Sequence, residues 1–515
     1  MTGTQSTKSW MLTCLVSVSL ILSTALQAQE PYYSDKQIYR FLEQTTFGPT
    51  EENLEIVRES TPRTWLKEQI DLSPTLHHDL FQSPFPGLSK RNRLNAWYQI
   101  AIGAEDQFRQ RAAYALSQVL VVSQQHKQLG SRAEAVTIYY DVLVENAFSN
   151  YRELLEKVTL HAAMGSYLSM NGSKKSDPSK NSYPDENYAR EVMQLFTIGL
   201  HQLNQDGSLK LKNGQPIPNY GQEDIEEIAR AFTGWKQDDW AFNKPMITDT
   251  RFHDYESKTV LGNHIPAWQT PEQDVKAVLD ILFNHPSMAP FVSRLLIQRL
   301  VSSNPSPAYI ERIANVFDDN GDGVRGDLEA IFTAIILDPE AQSGDSIKIK
   351  EPIIVATHFH RAFSAEYSKD RITDANRIMV YAHQKPLGAA SVFNFYSPNH
   401  MPTGVLTDES LLAPEVELIS WANYVDLVNY LATYAGYNPR YDLTLQLDDL
   451  TDAAFDSDEL VNLINQKMFG SSMSLDLKTV LLENLNQHSS NASAFLRVYH
   501  AVSISLASDD FFIQN

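Results

Sequence analysis

Cysteine is almost missing from this sequence, with Cys14 the only one in 515 residues. Disulfides cannot hold such a chain together, and once a leader carrying Cys14 is removed no thiol nucleophile is left. Positive charge is scarce as well: 42 Lys and Arg face 63 Asp and Glu, a formal charge of −21. A surface of that sign repels nucleic acid and anionic lipid, so neither is an expected partner. No apolar run reaches the roughly 20 residues that a spanning helix needs, and no transmembrane segment is expected in the mature chain. The familiar catalytic templates are missing too. There is no G-x-S-x-G elbow, no P-loop, no G-x-G-x-x-G after a strand, and no histidine pair four apart for a helical zinc site. His358 and His360 are two apart and His77 and His78 are adjacent, spacings that send helical side chains to different faces.

What is present begins with a leader. Lys8 supplies a positive start and Trp10 to Leu22, "WMLTCLVSVSLIL", an uncharged apolar stretch, followed by small Ala28. This pattern is that of a secretory signal peptide over 1–28, so the mature chain is expected to start at Gln29, exported to the periplasm or beyond the cell. Removing Lys8, the one charged residue among the first 28, takes the formal charge from −21 to −22. At 43% hydrophobic and 10% aromatic the remainder is too apolar for a disordered chain and long enough to bury a large core.

The periodicity of that remainder is helical. In "SPAYIERIANVF" Ser306 caps, Pro307 suits the first turn, and Ile310, Ile313 and Phe317 share a face. "DLEAIFTAIIL" repeats this with Leu328, Ile331, Ile335 and Ile336. Similar stripes run through Phe108 to Val122, Ala135 to Phe148, Glu223 to Phe232, Gln273 to Phe283 and Ser457 to Met468. The fold class is mainly α, one large multi-helix domain. The exception lies at about 203–218, where Asp206-Gly207 and Asn213-Gly214 flank a short extended stretch; these dipeptides predict a small inserted β-hairpin. The polar stretch Asn171 to Glu186 reads as a surface loop. A weaker break after 435 divides a main domain, 29–435, from a helical tail, 436–515, expected to pack on the same domain.

Several segments together are similar to one family. "LEKVTLHAAMGSYLSM", "PDENYAREVMQLFTIGL", "IARAFTGW" and "FNHPSMAPFVSRLLIQRLVSSNPSPAYI" resemble the bacterial domain-of-unknown-function 1800 family. "FLEQTTFGPT", "GAASVFNFYSP", "LLAPEVEL" and "ISLASDDFFIQ" extend the resemblance over nearly the whole mature chain. It implies an exported bacterial protein with one long helical domain. It transfers no catalytic residue, because the family is named for lacking a known activity.

Candidate site residues therefore come from the residues themselves. In "SYPDENYAREVMQLF" Ser182 can cap a helix begun at Pro184, Glu186 and Arg190 form an i,i+4 pair, and Asn187, Arg190 and Glu191 share a polar face. With His161 from the preceding helix and His253 from "RFHDYESKTVLG", Arg190 and Glu191 make a constellation with acid–base potential. The competing reading is a hydrogen-bonded structural network. Trp235, Trp240 and Trp268 around the His253 loop can form a sugar-stacking platform or belong to the core.

"FDDNGDGVRGDLE" raises a metal question. Asp318, Asn320 and Asp322 stand at positions 1, 3 and 5 of an EF-hand-like loop, Gly323 at 6, Val324 offers its carbonyl at 7, and Glu329 stands at 12. Calcium is the expected cofactor if the loop binds metal, as a solitary structural site with a dissociation constant of about 10⁻⁴–10⁻³ M. Arg325 at position 8 argues for the alternative, a glycine turn with Asp327 as the next helix cap. Arg325-Gly326-Asp327 also spells an adhesion tripeptide, better explained by that turn. Two function classes stand: a non-enzymatic envelope or surface component that binds a protein or glycan, and an exported hydrolase with its site around 186–191.

Overall fold

The computed structural model describes residues 33–81, 90–240, 242–344, 348–367, 375–436, 442–489 and 492–514. The signal-peptide segment lies outside the described residues. The chain is mainly helical, and among the described residues its strands form five two-stranded antiparallel sheets. No described helix is long and apolar enough to cross a membrane.

The helices form where local chemistry directs them. Ser306 accepts from the Tyr309 backbone N–H at 3.1 Å and Pro307 opens the first turn of Pro307–Asp318, so one orphan donor is satisfied and one never exists. Ile310, Ile313 and Phe317 of that helix are buried, as are Leu328, Ile331, Ile335 and Ile336 of Leu328–Leu337. Each such side chain contributes roughly 1.5–3 kcal/mol relative to exposure. The inserted hairpin is also present. Leu211–Lys212 pairs with Gln215–Pro216, and Asn213 and Gly214 at the tip both have positive φ, 55° and 78°, as the tight twist of a two-residue hairpin requires.

The two ends of the described chain meet in one buried cluster. Glu43, on Asp35–Thr45, pairs with Lys350 at 2.6 Å. Lys350 donates to Nδ1 of His358 (3.1 Å), whose Nε2 stands 2.8 Å from the Tyr39 hydroxyl. Phe511 covers the lysine at 4.9 Å, and the final strand Ile513–Gln514 pairs with Lys348–Ile349. Burial, then the charges of Lys350 and Arg361, hold His358 well below the usual imidazole range. It is therefore neutral, and with Nδ1 accepting, its proton sits on Nε2.

Two local expectations are corrected. The helix of the Ser182 segment starts later than Pro184: it runs Asn187–Glu191, with Asp185 accepting from the Asn187 N–H at 2.9 Å while Ser182 pairs back with Asp177. With its backbone tied to Asp177 in both directions, Ser182 is not placed to cap, and Pro184 lies before the helix rather than in its first turn. Trp235 is buried and belongs to the core, so a platform of three tryptophans does not exist; Trp240 and Trp268 alone are exposed, at 81% and 83%.

Candidate functional site

Among the described residues no hydrogen bond or ion pair joins His161, Arg190, Glu191 and His253 to one another, although the charge of Arg190 is felt by Glu191. Glu186 and Arg190 do pair, at 3.1 Å, but both are only half-buried, where such a pair is worth about 0.3–0.5 kcal/mol. Glu191 turns inward and is 8% exposed, and its Oε2 has no hydrogen-bond partner. Burial raises its pKa against the opposing pull of Arg190. His161 caps the next short helix, its Nδ1 accepting from the Ala163 N–H at 3.1 Å. Its Nε2 is unpartnered, its ring meets Tyr139 edge-on, and burial lowers its pKa to about 4.

His253 belongs to a separate, fully buried charge cluster. Its Nδ1 stands 2.9 Å from the Thr233 carbonyl and its Nε2 3.1 Å from Asp274, off hydrogen-bond alignment. Lys258 meets the same carboxylate at 2.8 Å and donates to the carbonyls of Asp254 and Glu256. Arg230 clamps Asp254 through two bonds, of 2.9 and 3.1 Å. These contacts pin the Lys258–Val260 and Asn263–Ile265 hairpin to helices Gln222–Ala231 and Pro271–Phe283. Gly234 permits the approach: at φ 81°, a Cβ there would lie 2.9 Å from that of His253.

In the 318–329 loop the side chains of two expected calcium ligands, Asp318 and Asn320, have protein partners, while Asp322 is exposed. Asp318 accepts from Gln205 Nε2 at 2.7 Å and from the Arg325 guanidinium. Asn320 accepts from the Asp322 and Val324 N–H groups, and its amide donates to Asp327 at 2.6 Å. Asp319, outside the expected set, accepts from Gly321 and Gly323, both at 2.8 Å. Arg325 also donates to the Phe283 carbonyl at 3.0 Å and lies over the Phe283 and Phe317 rings. Asp327 caps Leu328–Leu337. Glu329 stands at the surface, and partial desolvation, then the charges of Asp327 and Asp71, raise its pKa. Among the described residues no group of three or more His, Cys, Asp or Glu is arranged to hold a metal ion.

A cavity of about 350 Å³ lies elsewhere, against helix Met288–Leu300. That size falls in the range of small-molecule sites, about 300–1,000 Å³. Phe291, Leu295, Leu195, Leu200 and Val392 supply apolar wall. Leu195 comes from a π-helical turn, Val192–Thr197, in which the Thr197 hydroxyl donates to the Val192 carbonyl at 2.6 Å. The turn ends at Gly199, whose φ is 70°; a Cβ there would lie 2.7 Å from the Phe291 ring. A π turn shifts the side chains beyond it relative to an α-helix, and such turns are frequent at functional sites. It directs the chain into the hairpin whose base, at Leu203 and Leu209, also lines the cavity.

Gln194, His201, Ser397 and Asn399 line the cavity from other segments, and its remaining polar groups sit on one helix and on what lies against it. Arg294 and Gln298 line it from successive turns of Met288–Leu300, with Arg299 beside them. Arg294 donates to Asn399 Oδ1 at 3.3 Å, and among the described residues no carboxylate pairs with it; burial lowers its pKa. Arg299 is buried, its guanidinium over the Tyr396 ring at 4.8 Å and its Nε without an acceptor. Gln118, also on the lining, donates to Glu351 at 2.7 and 2.9 Å. Glu351 accepts further from the Tyr114 hydroxyl at 2.8 Å and from Gln384. Burial works to raise the pKa of Glu351, but Lys348, Gln118, Arg111 and Arg299 outweigh it and hold it low. Lys348 pairs with buried Glu415, which also accepts from Ser303. Arg111, Arg299 and Lys348 thus face Glu351 and Glu415, leaving one surplus positive charge beneath the cavity.

None of this was assembled from the sequence. The available signal was Arg294, Gln298 and Arg299 inside the otherwise apolar "FVSRLLIQRL", since arginine on a core-facing helix requires a partner or a ligand. Three of the segments quoted for the family resemblance, around 184–200, 283–310 and 388–398, supply most of the cavity wall. The profile of a family described as "Protein of unknown function (DUF1800)" matches residues 40–513, and the chain belongs to this family. No curated protein and no solved structure matches it.

Proposed function

We propose that this member of the DUF1800 family is an exported, non-enzymatic binding component of the bacterial envelope or surface, and that it takes its ligand in the cavity against Met288–Leu300. The observation that carries this reading is the pairing of an apolar wall with an arginine that has no carboxylate partner among the described residues. Binding sites are mostly apolar with a few placed polar groups. The residues first considered for catalysis lie outside that lining: His253 is committed to a buried ion cluster and His161 to a helix cap. The leader supports export, and the acidic composition supports a partner other than nucleic acid. Titration with a neutral apolar fluorescent reporter such as N-phenyl-1-naphthylamine tests the reading. One saturable site is expected in the parent and none in Leu295→Trp, which fills the cavity. Absence of a saturable site in the parent, or equal binding by both, overturns it.

A hydrolase reading has one specific observation behind it. Glu191 is a buried carboxyl with a free Oε2 and a raised pKa, the condition of a general acid. Hydrolysis of a glycan or peptide library by the parent and not by Glu191→Gln would move the function there. For the 318–329 loop we favour the turn over calcium, because Arg325 puts a cation of the protein's own against Asp318.

A further inference from the structure

Resting on the cavity as the binding site, we infer that its ligand is a monoanionic amphiphile: a carboxylate held by Arg294, with an aliphatic body laid along Phe291, Leu295, Leu195 and Val392.

The charge argument starts from what surrounds each arginine. Arg299, Arg111 and Lys348 face Glu351 and Glu415, so this buried group keeps one surplus positive charge. Arg294 adds a second. It is half-buried on the cavity wall, and its described polar partner is the neutral amide oxygen of Asn399, at 3.3 Å. A guanidinium partly removed from water without an acid attracts an anion strongly, because the dehydration is already in place. Cationic ligands are disfavoured by the same two charges. The unpartnered Nε of Arg299, on a side chain 4% exposed, reinforces that sign from beneath.

Shape selects the head group and the body. A guanidinium is a planar fork matched to a carboxylate, and the amide nitrogen of Asn399 lies beside it on the lining, whereas the Gln298 amide is committed to the Ser303 carbonyl at 3.1 Å. One accessible fork fits a single negative charge; a dianion would require a second. Leucine, valine and phenylalanine supply most of the remaining wall, with Gln118, Gln194, His201 and Ser397 between them, and the apolar part rewards a chain of methylenes at about 0.8 kcal/mol each. The acidic exterior opposes an approaching anion only at long range, and physiological salt screens that field beyond about 8 Å.

Calorimetric titration with decanoate, 1-decanol and decyltrimethylammonium separates the inferences. Decanoate is expected to bind one-to-one and about tenfold to a hundredfold more tightly than decanol, the range of a charge-assisted hydrogen bond, with decyltrimethylammonium weakest. Arg294→Gln is expected to bring decanoate down to the affinity of decanol while leaving decanol unchanged, and Arg294→Lys to restore part of the difference. Equal affinity of decanol and decanoate in the parent, or full decanoate affinity in Arg294→Gln, overturns the anion inference while the cavity stands as a binding site. No binding of any of the three by a parent that also lacks the reporter site overturns both.

Discussion

The guanidinium of Arg325 sits against the carboxylate of Asp318, the first position of a loop spelled like a calcium site. Asp318 and Asn320 thereby answer to Arg325, Gln205 and backbone N–H groups. Millimolar calcium and a chelator are expected to give equal melting midpoints, with Asp318→Ala shifting stability by less than about 1 kcal/mol in either. Arg325→Ala is expected to lose about 1–3 kcal/mol, because it uncovers two rings and frees a half-buried carbonyl. A midpoint that rises with calcium in the parent and not in Asp318→Ala would restore the metal.

Asp274→Asn is expected to be far more damaging than Arg190→Ala. The first leaves Lys258 and His253 buried without their shared carboxylate, a loss of about 3–5 kcal/mol. The second removes one surface pair, about 0.5 kcal/mol or less. Denaturant midpoints of the two variants decide the order, and the reverse order would place the structural role on the polar helix.

Acid is expected to destabilise the fold between pH 6.5 and about 4. Burial holds His77, His161 and His360 each down to about 4 from 6.5. In that window the unfolded chain binds protons that the folded chain refuses, so stability present above 6.5 is lost as pH falls, by about 1.4 kcal/mol per pH unit for each histidine. Asp141, raised to about 7 by burial, runs the other way: its contribution is full below 3.8 and fades as pH rises through 7. Three histidines outweigh one carboxyl. His161→Asn, which can keep the cap, is expected to flatten the slope of stability against pH by about 1.4 kcal/mol per unit; an unchanged slope would remove His161 from the account.

Gly199→Ala tests the construction of the cavity. Its φ of 70° strains any side chain and the new Cβ meets Phe291 at 2.7 Å. A loss of about 1–3 kcal/mol is expected, together with weaker reporter binding as Phe291 shifts. Full stability and full binding would show that Phe291 does not need this close approach.

N-terminal sequencing of the exported protein is expected to start at Gln29. Intact Met1 in a membrane pellet would remove the secretory reading.

Much of the fold was legible because periodicity is local. Ile310, Ile313 and Phe317 report their shared face through spacing alone, and Asn213-Gly214 reports its turn through backbone sterics. The late start of the 187–191 helix was not legible because Ser182 is tied back to Asp177, and the passage into a π turn was not because the turn leads to the close packing of Gly199 on Phe291. The surroundings of each candidate residue were not legible for a related reason. Polar residues close in sequence, such as Arg190 and Glu191, point to opposite environments. Arg294, Asn399 and Gln118 are brought together only by tertiary structure.

The central claim, that the cavity against Met288–Leu300 binds a ligand, is tested most directly by native mass spectrometry of the protein purified from its own exported fraction. The account predicts a discrete added mass of a small organic anion on the parent, absent from Leu295→Trp and diminished in Arg294→Gln. A parent that carries no added mass, or one retained unchanged by Leu295→Trp, would contradict it.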